Sequence, residues 1–265
     1  MVINHNISAL NTNRQMAMNA SATSKAMEKL SSGLRINRAA DDAAGLSISE
    51  KMRGQIKALD QASSNAEDGV SMIQTAEGAL NEVSDMLTRM KELAVQASNG
   101  TYDTTDIANI TAEATALTTA IGDVLADTSF NGIKMLDSAF AGADITGADG
   151  TAIVSLTTIT FAGVTGLDLS TSAAAATSIT TIDTAINAVN LDRATYGAQQ
   201  NQLEHTINNV NTTSENLSSA ESRIRDVDMA KEMTQFTKSN ILLQASQAML
   251  SQANSLPQGV LQLLQ

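Results

Sequence analysis

An unbroken heptad stripe in the first half of the chain leaves little choice of architecture. Leu59, Ala62, Ala66, Gly69, Ile73, Ala76, Leu80, Val83, Leu87, Met90, Ala94 and Ala97 follow one another at alternating steps of three and four, with Gly69 the only weak member. Apolar residues at that spacing share one side of an α-helix and pack against a partner helix in coiled-coil fashion. At 1.5 Å per residue the stripe requires one continuous helix about 58 Å long. Asn99-Gly100 then supplies a stop, since glycine accepts the left-handed geometry that closes a helix.

Two further stripes give that helix neighbours. Ile107, Ile110, Ala114, Leu117, Ile121 and Val124 repeat the alternation, with Asp106 or a preceding Thr as the expected cap. In the second half, Ile182, Val189, Tyr196, Leu203, Val210, Leu217 and Ile224 recur every seven residues. Their companions Ile179, Ile186, Arg193, Gln200, Ile207, Ser214 and Glu221 are only partly apolar, which suits a helix packed on two neighbours. The helices therefore form a bundle. Between the second and third stripes, Phe130-Asn131-Gly132-Ile133 is a hairpin signal. The Gly-, Ala-, Thr- and Ser-rich stretch from Ser138 to Thr177 reads as a small β or irregular insertion at the tip of the bundle.

The packing material is unusual. The chain has no Cys or Trp, one Pro, two Tyr and four Phe, so Ala, Leu, Ile, Val and Met must fill the core. Small side chains allow helices to lie close together. The absence of cysteine excludes disulfides, thiolate metal sites and thiol nucleophiles. A net charge of -12 argues against nucleic acid and acidic lipid as partners. No apolar run reaches the roughly 18 residues that would span a bilayer. The start, MVINHNISALNTNRQ, has no cleavable-signal pattern, and by these rules alone the default location is cytosolic.

The two ends are amphipathic but thinly apolar. Near the start, Ile3, Ile7 and Leu10 precede a stripe of Met16, Ala20, Thr23, Met27, Leu30 and Leu34. Near the finish, Leu242, Ala245, Met249, Gln252 and Leu256 form another, widened by Leu243 and Leu250. Such terminal segments gain order when a partner completes their core.

Reaction chemistry is not visible. His5 and His205 lie far apart in sequence and read as surface residues, and no nucleophile elbow, phosphate loop or dinucleotide fingerprint occurs. The twelve methionines, Met27 and Met90 among them, read as flexible filler. Asp41-Asp42, flanked by Arg35 and Arg38, reads as a capped, ion-paired loop rather than a cation site. Arg89, Glu92, Leu93 and Gln96 share one helical face, with Leu93 read as packing. No catalytic residue, cofactor or metal is expected.

Long motifs at both ends resemble the bacterial flagellins. They are INHNISALN (Ile3 to Asn11), MEKLSSGLRINRAADDAAGLSISEKMRGQI (Met27 to Ile56), IQTAEGALNE (Ile73 to Glu82), SRIRDVDMAKEMTQFTKSNILLQASQAMLSQAN (Ser222 to Asn254) and the ending LPQGVLQLLQ. The similarity spans roughly residues 1–136 and 178–265 and reverses the cytosolic default. It implies a structural subunit, exported unfolded through the flagellar type III apparatus and polymerising helically into an extracellular filament for motility. It further implies a mainly α fold, a long antiparallel coiled-coil-like bundle whose terminal helices pair on assembly. Residues 1–40 and 225–265 would form the filament inner core, 41–136 and 178–224 the bundle, and 137–177 an outward-facing insertion.

The same resemblance implies partners. These are further copies of the chain, an export chaperone at the C-terminal helix, filament cap and junction proteins, and the host's flagellin-sensing Toll-like receptor. The receptor positions correspond to Arg89, Leu93 and Glu113. The polymerising terminal faces would be Ile3, Ile7, Leu10, Met27, Leu30 and Leu34, with Leu242, Ala245, Met249 and Leu256.

Overall fold

The computed structural model describes residues 6–137, 140, 142–157, 159, 161 and 163–263, with side chains through residue 255. In chain order the elements are α1 (Ile7–Ser32), α2 (Ala43–Ser98), α3 (Thr104–Asp127), β1 (Ser129–Phe130), β2 (Ile133–Lys134), β3 (Ala143–Thr146), β4 (Ala152–Leu156), α4 (Ser172–Arg225) and α5 (Met229–Leu263). They divide into two compact units, Met1–Gly54 with Asn216–Gln265 (unit 1), and Gln55–Glu215 (unit 2). The divisions fall inside α2 and α4.

Unit 2 is the bundle. Every member of the long stripe from Ala62 to Ala97 is buried, and Leu59 partly so. α4 runs antiparallel to α2. Asp60 meets Ser214, Ser63 meets Asn211, Glu77 meets Arg193, and Lys91 meets Asp183. α3 turns back along α2, capped by Asp103, whose carboxylate accepts the Thr104 N–H at 2.6 Å, so neither Asp106 nor a threonine is its cap. Asn131 and Gly132 both have positive φ, 50° and 81°, and form the tight turn between β1 and β2 as Asn-Gly predicts.

The insertion joins the same core. Phe140, Ile145, Val154, Leu156, Phe161, Val164 and Leu169 pack into one buried cluster with α2, α3 and α4. β3 and β4 pair antiparallel with an irregularity at Ile145/Thr146. The weak heptad member is explained here. A Cβ on Gly69 would overlap Ile145 Cδ1, so the missing side chain gives the hairpin room against the helix.

α4 holds the insertion with polar residues. Ile182, Val189, Tyr196 and Leu203 are buried as the stripe requires, but its second inward row is Ser178, Ala185, Asp192 and Gln199. That row lies one residue before the companions read from sequence. Ser178 Oγ accepts the Asp168 N–H (3.1 Å) and donates to the Asp168 carbonyl (2.9 Å). The Asp192 carboxylate accepts the buried Phe161 N–H at 3.0 Å. Gln199 Nε2 donates to the Ser155 carbonyl at 3.1 Å. The insertion has backbone donors and acceptors that its short ladder does not pair, and these side chains take up those of Ser155, Phe161 and Asp168.

Tyr196 sits in this layer. Burial, and after it the Asp192 charge, push its phenol up to about 12 from an ordinary 10.0. The folded value exceeds the unfolded one, so Tyr196 contributes fully below about pH 10 and its contribution is lost as pH rises toward about 12. Denaturant unfolding across that window should therefore fall more steeply for the natural chain than for Tyr196→Phe, which has nothing to ionise. Parallel curves would contradict the assignment.

Unit 1 pairs the chain's two ends. α1 closes at Gly33, in the left-handed region at φ 71°, and its N–H reaches the Lys29 carbonyl. The following segment clasps the end of α4: Arg35 donates to the Ile224 carbonyl, and Leu34 and Asp226 form a β-bridge. Asp41 accepts the backbone N–H groups of Asn37 and Arg38, and Asp42 accepts that of Gly45 at the start of α2. Those bonds, the Arg38 N–H first and the Asn37 N–H next, hold the Asp41 carboxyl below its ordinary value. Asp42 thus caps α2 and Asp41 closes the loop before it, while Arg38 forms its ion pair with Glu28.

Candidate functional site

The α1–α5 pair is the least conventional part of the molecule. On α1 the covered positions recur as Ala9, Thr12, Met16, Asn19, Thr23, Ala26 and Leu30; on α5 they are Glu232, Phe236, Ser239, Leu243, Ser246, Leu250 and Ala253. Both rows alternate three and four, the spacing of a coiled-coil seam. Its most buried members are small: Ala26, Ser239, Ser246 and Ala253. Asn19 Nδ2 donates to Ser246 Oγ across it at 3.2 Å.

Several large apolar side chains point away from it. Ile7 is 74% exposed, Leu10 77%, Ile241 60% and Met249 63%. Met18, Met27, Met229, Met233 and Leu242 are also exposed. By contrast, Ile73, Leu80, Leu87, Met90, Ile121, Ile182 and Leu203 in unit 2 are fully buried. At 100° per residue, Ile7, Leu10 and Met18 lie on the side of α1 away from its seam, and on α5 Ile241 and Ala245 lie away from the seam while Met249 lies on its flank. Contiguous exposed apolar surface marks a contact site, and flexible methionines suit one.

The terminal stripes read from sequence need correction at this point. On α5, Leu242, Ala245 and Met249 face outward, and the residues that only widened the stripe, Leu243 and Leu250, make the seam. On α1, Ala20 and Met27 are exposed, so Met27 is not core filler, while Asn19 and Ala26 take the inward places. Leu30 is in the seam, and Leu34 lies beyond the helix in its bridge to Asp226. Ile3, His5 and the side chain of Leu256 lie outside the described residues. His205 is exposed on α4.

The second sequence-derived cluster is partly assembled. Arg89 on α2 pairs with Glu113 on α3 at 2.9 Å and with Glu92 at 3.0 Å, all near half exposed. Glu92 and then Glu113 raise the guanidinium above its ordinary value. Leu93 is only 2% exposed. It belongs to the bundle core and offers no surface to a partner, in line with packing and against its use as a direct contact. Among the described residues no acidic or histidine cluster fits a metal, and no helix is long and apolar enough to cross a membrane.

Comparison with known proteins places this arrangement. Residues 3–141 match the bacterial flagellin N-terminal helical region, and residues 179–264 match the bacterial flagellin C-terminal helical region. The chain belongs to the bacterial flagellin family. It is 53% identical to a flagellin of Halalkalibacterium halodurans and 52% identical to one of Bacillus subtilis, with all of both chains covered in each case. Flagellin FlaB2 of Treponema pallidum is 43% identical, again over the whole of both chains. A crystal structure of Bacillus cereus flagellin is 33% identical, covering 60% of this chain and 94% of that one with a TM-score of 0.48. Flagellins are structural proteins, not enzymes, and they polymerise into the filament that forms the extracellular part of the bacterial flagellum.

Proposed function

We propose that this flagellin enters the filament through the outward apolar faces of its terminal helices: Ile7, Leu10 and Met18 on α1, and Ile241, Leu242, Ala245 and Met249 on α5. One observation carries the reading. The α1–α5 pair buries only small and hydroxylated residues completely and leaves Ile7, Leu10, Ile241 and Met249 largely in water, an arrangement that favours a further helix layer around it. Stacking copies supplies that layer. A face on one copy meeting a different face on the next gives a heterologous contact, and repetition without closure gives a helical polymer.

Amide hydrogen exchange tests this. In free monomer, residues 7–32 and 229–255 should exchange faster than 59–97, because little buried apolar contact holds them. In the filament the two ends should become protected while 59–97 changes little. Ends that exchange equally in monomer and filament would refute assembly through them.

The family resemblance extends the reading. Export of the unfolded chain through the flagellar type III apparatus would bring a chaperone to the C-terminal helix, where it would mask Leu242, Met249 and their neighbours. The filament cap and junction proteins would meet the same terminal surfaces. Once assembled, residues 1–40 and 225–265 would line the inner core and 137–177 would face outward. For the free monomer we further propose recognition by the flagellin-sensing Toll-like receptor at the exposed Arg89 and Glu113. Leu93 would then act from beneath, holding α2 and α3 in place.

A further inference from the structure

Pro257, the one proline of the chain, lies inside α5, which continues to Leu263. A proline has no N–H, so the carbonyl four residues earlier in the helix loses its ordinary donor. That carbonyl belongs to Ala253, whose side chain is buried in the terminal pair. An unsatisfied carbonyl at such a contact is destabilising.

Asn6 supplies the missing donor from the other end of the sequence. Its Nδ2 donates to the Ala253 carbonyl at 2.7 Å. Its Oδ1 accepts the Ala9 N–H at 3.1 Å and so caps α1. The two bonds use opposite ends of one amide. Turning the amide over would set NH2 against N–H and carbonyl against carbonyl, so the orientation is determined by the partners.

We propose that Asn6 is the positioning residue that sets the register of the α1–α5 pair. It joins the cap of one helix to the carbonyl of the other that a helix-interior proline deprives of a donor. The seam needs such a device. On α5 the large covered residues Phe236, Leu243 and Leu250 and the small ones Ser239, Ser246 and Ala253 each recur every seven positions, so apolar packing distinguishes weakly between registers one heptad apart, and a polar contact at one level can decide between them. Register in turn sets which residues of α5 lie beside Ile7 and Leu10 on the outward surface. The inference concerns the pair within one chain and stands apart from how copies contact one another.

A double-mutant cycle on the full-length protein tests it. Asn6→Asp retains a capping oxygen and removes the donor. With Pro257 in place, it should speed amide exchange in the first turns of α1 and around Ala253 about tenfold, with 59–97 as the unchanged reference. Pro257→Ala returns an N–H to the Ala253 carbonyl, and in that background Asn6→Asp should change the same amides by less than about threefold. The critical concentration for filament growth should show the same background dependence. Unequal effects on amide exchange support the assignment; equal effects of Asn6→Asp on those amides in both backgrounds overturn it.

Discussion

Leu10→Asp and Met249→Asp, each alone, should abolish filament growth at concentrations where the natural chain polymerises, while leaving the thermal unfolding of the bundle unchanged. Both side chains are largely exposed in the single chain, so folding of one copy gains little from them. In the proposed polymer each is covered. Losing the burial of one such side chain forfeits about 1.5–3 kcal/mol, which raises the required concentration about ten- to a hundredfold. An ionised carboxylate taken out of water without a partner adds a further penalty. Each subunit meets this penalty wherever it joins the polymer, so no growth path escapes it. Sedimentation of polymer and electron microscopy give the outcome. Leu243→Ala is the useful contrast, since it lies in the seam and should loosen the α1–α5 pair itself. Normal filaments from either charged variant would rule out these faces as contacts.

The second large effect separates packing from contact on α2. Leu93→Ala should destabilise unit 2 by about 2–5 kcal/mol, the range for opening a cavity at a fully covered leucine. Arg89→Ala should change stability by no more than about 1 kcal/mol, because its ion pairs are exposed and screened. Leu93→Met keeps the volume and should cost less than about 1.5 kcal/mol. Denaturant unfolding measures all three. If free monomer signals through Arg89 and Glu113, Arg89→Ala should lose response at full stability. Leu93→Met should keep it, and Leu93→Ala should lose response only as the bundle loosens. Strong loss from Leu93→Met in a stable protein would mean that Leu93 does reach the receptor.

Much of unit 2 was legible because its partners are all within one chain. The stripe from Ala62 to Ala97 is buried throughout, and the α3 stripe and the Asn-Gly turn follow the same logic of local periodicity and backbone freedom. The insertion was less legible. Its apolar residues enter the core through an irregular path, and Ser178, Asp192 and Gln199 bond backbone groups at Asp168, Phe161 and Ser155. In sequence those are merely polar positions next to a stripe. Gly69 looked like a flaw in the heptads because the residue it accommodates, Ile145, is distant in the chain.

The terminal helices show where periodicity stops deciding. On α5, Leu242-Ala245-Met249 and Leu243-Ser246-Leu250 are two stripes one residue apart, both with helical spacing. Pattern alone favours taking the more continuously apolar one as the inward face. The fold turns the other inward, against an α1 seam whose Thr12, Asn19 and Thr23 are equally modest.

From its amino acids alone, this chain was committed to long helices, to a bundle between them, to amphipathic ends and to a family of filament subunits. Those follow from spacing, propensity and motif, which every residue carries wherever it lies. The tertiary structure decided which stripe of each end faces its partner, that Leu93 lies under its surface, and that Asn6 reaches Ala253. Burial and register depend on the neighbour that occupies each face, and a single sequence of faces does not name the neighbour.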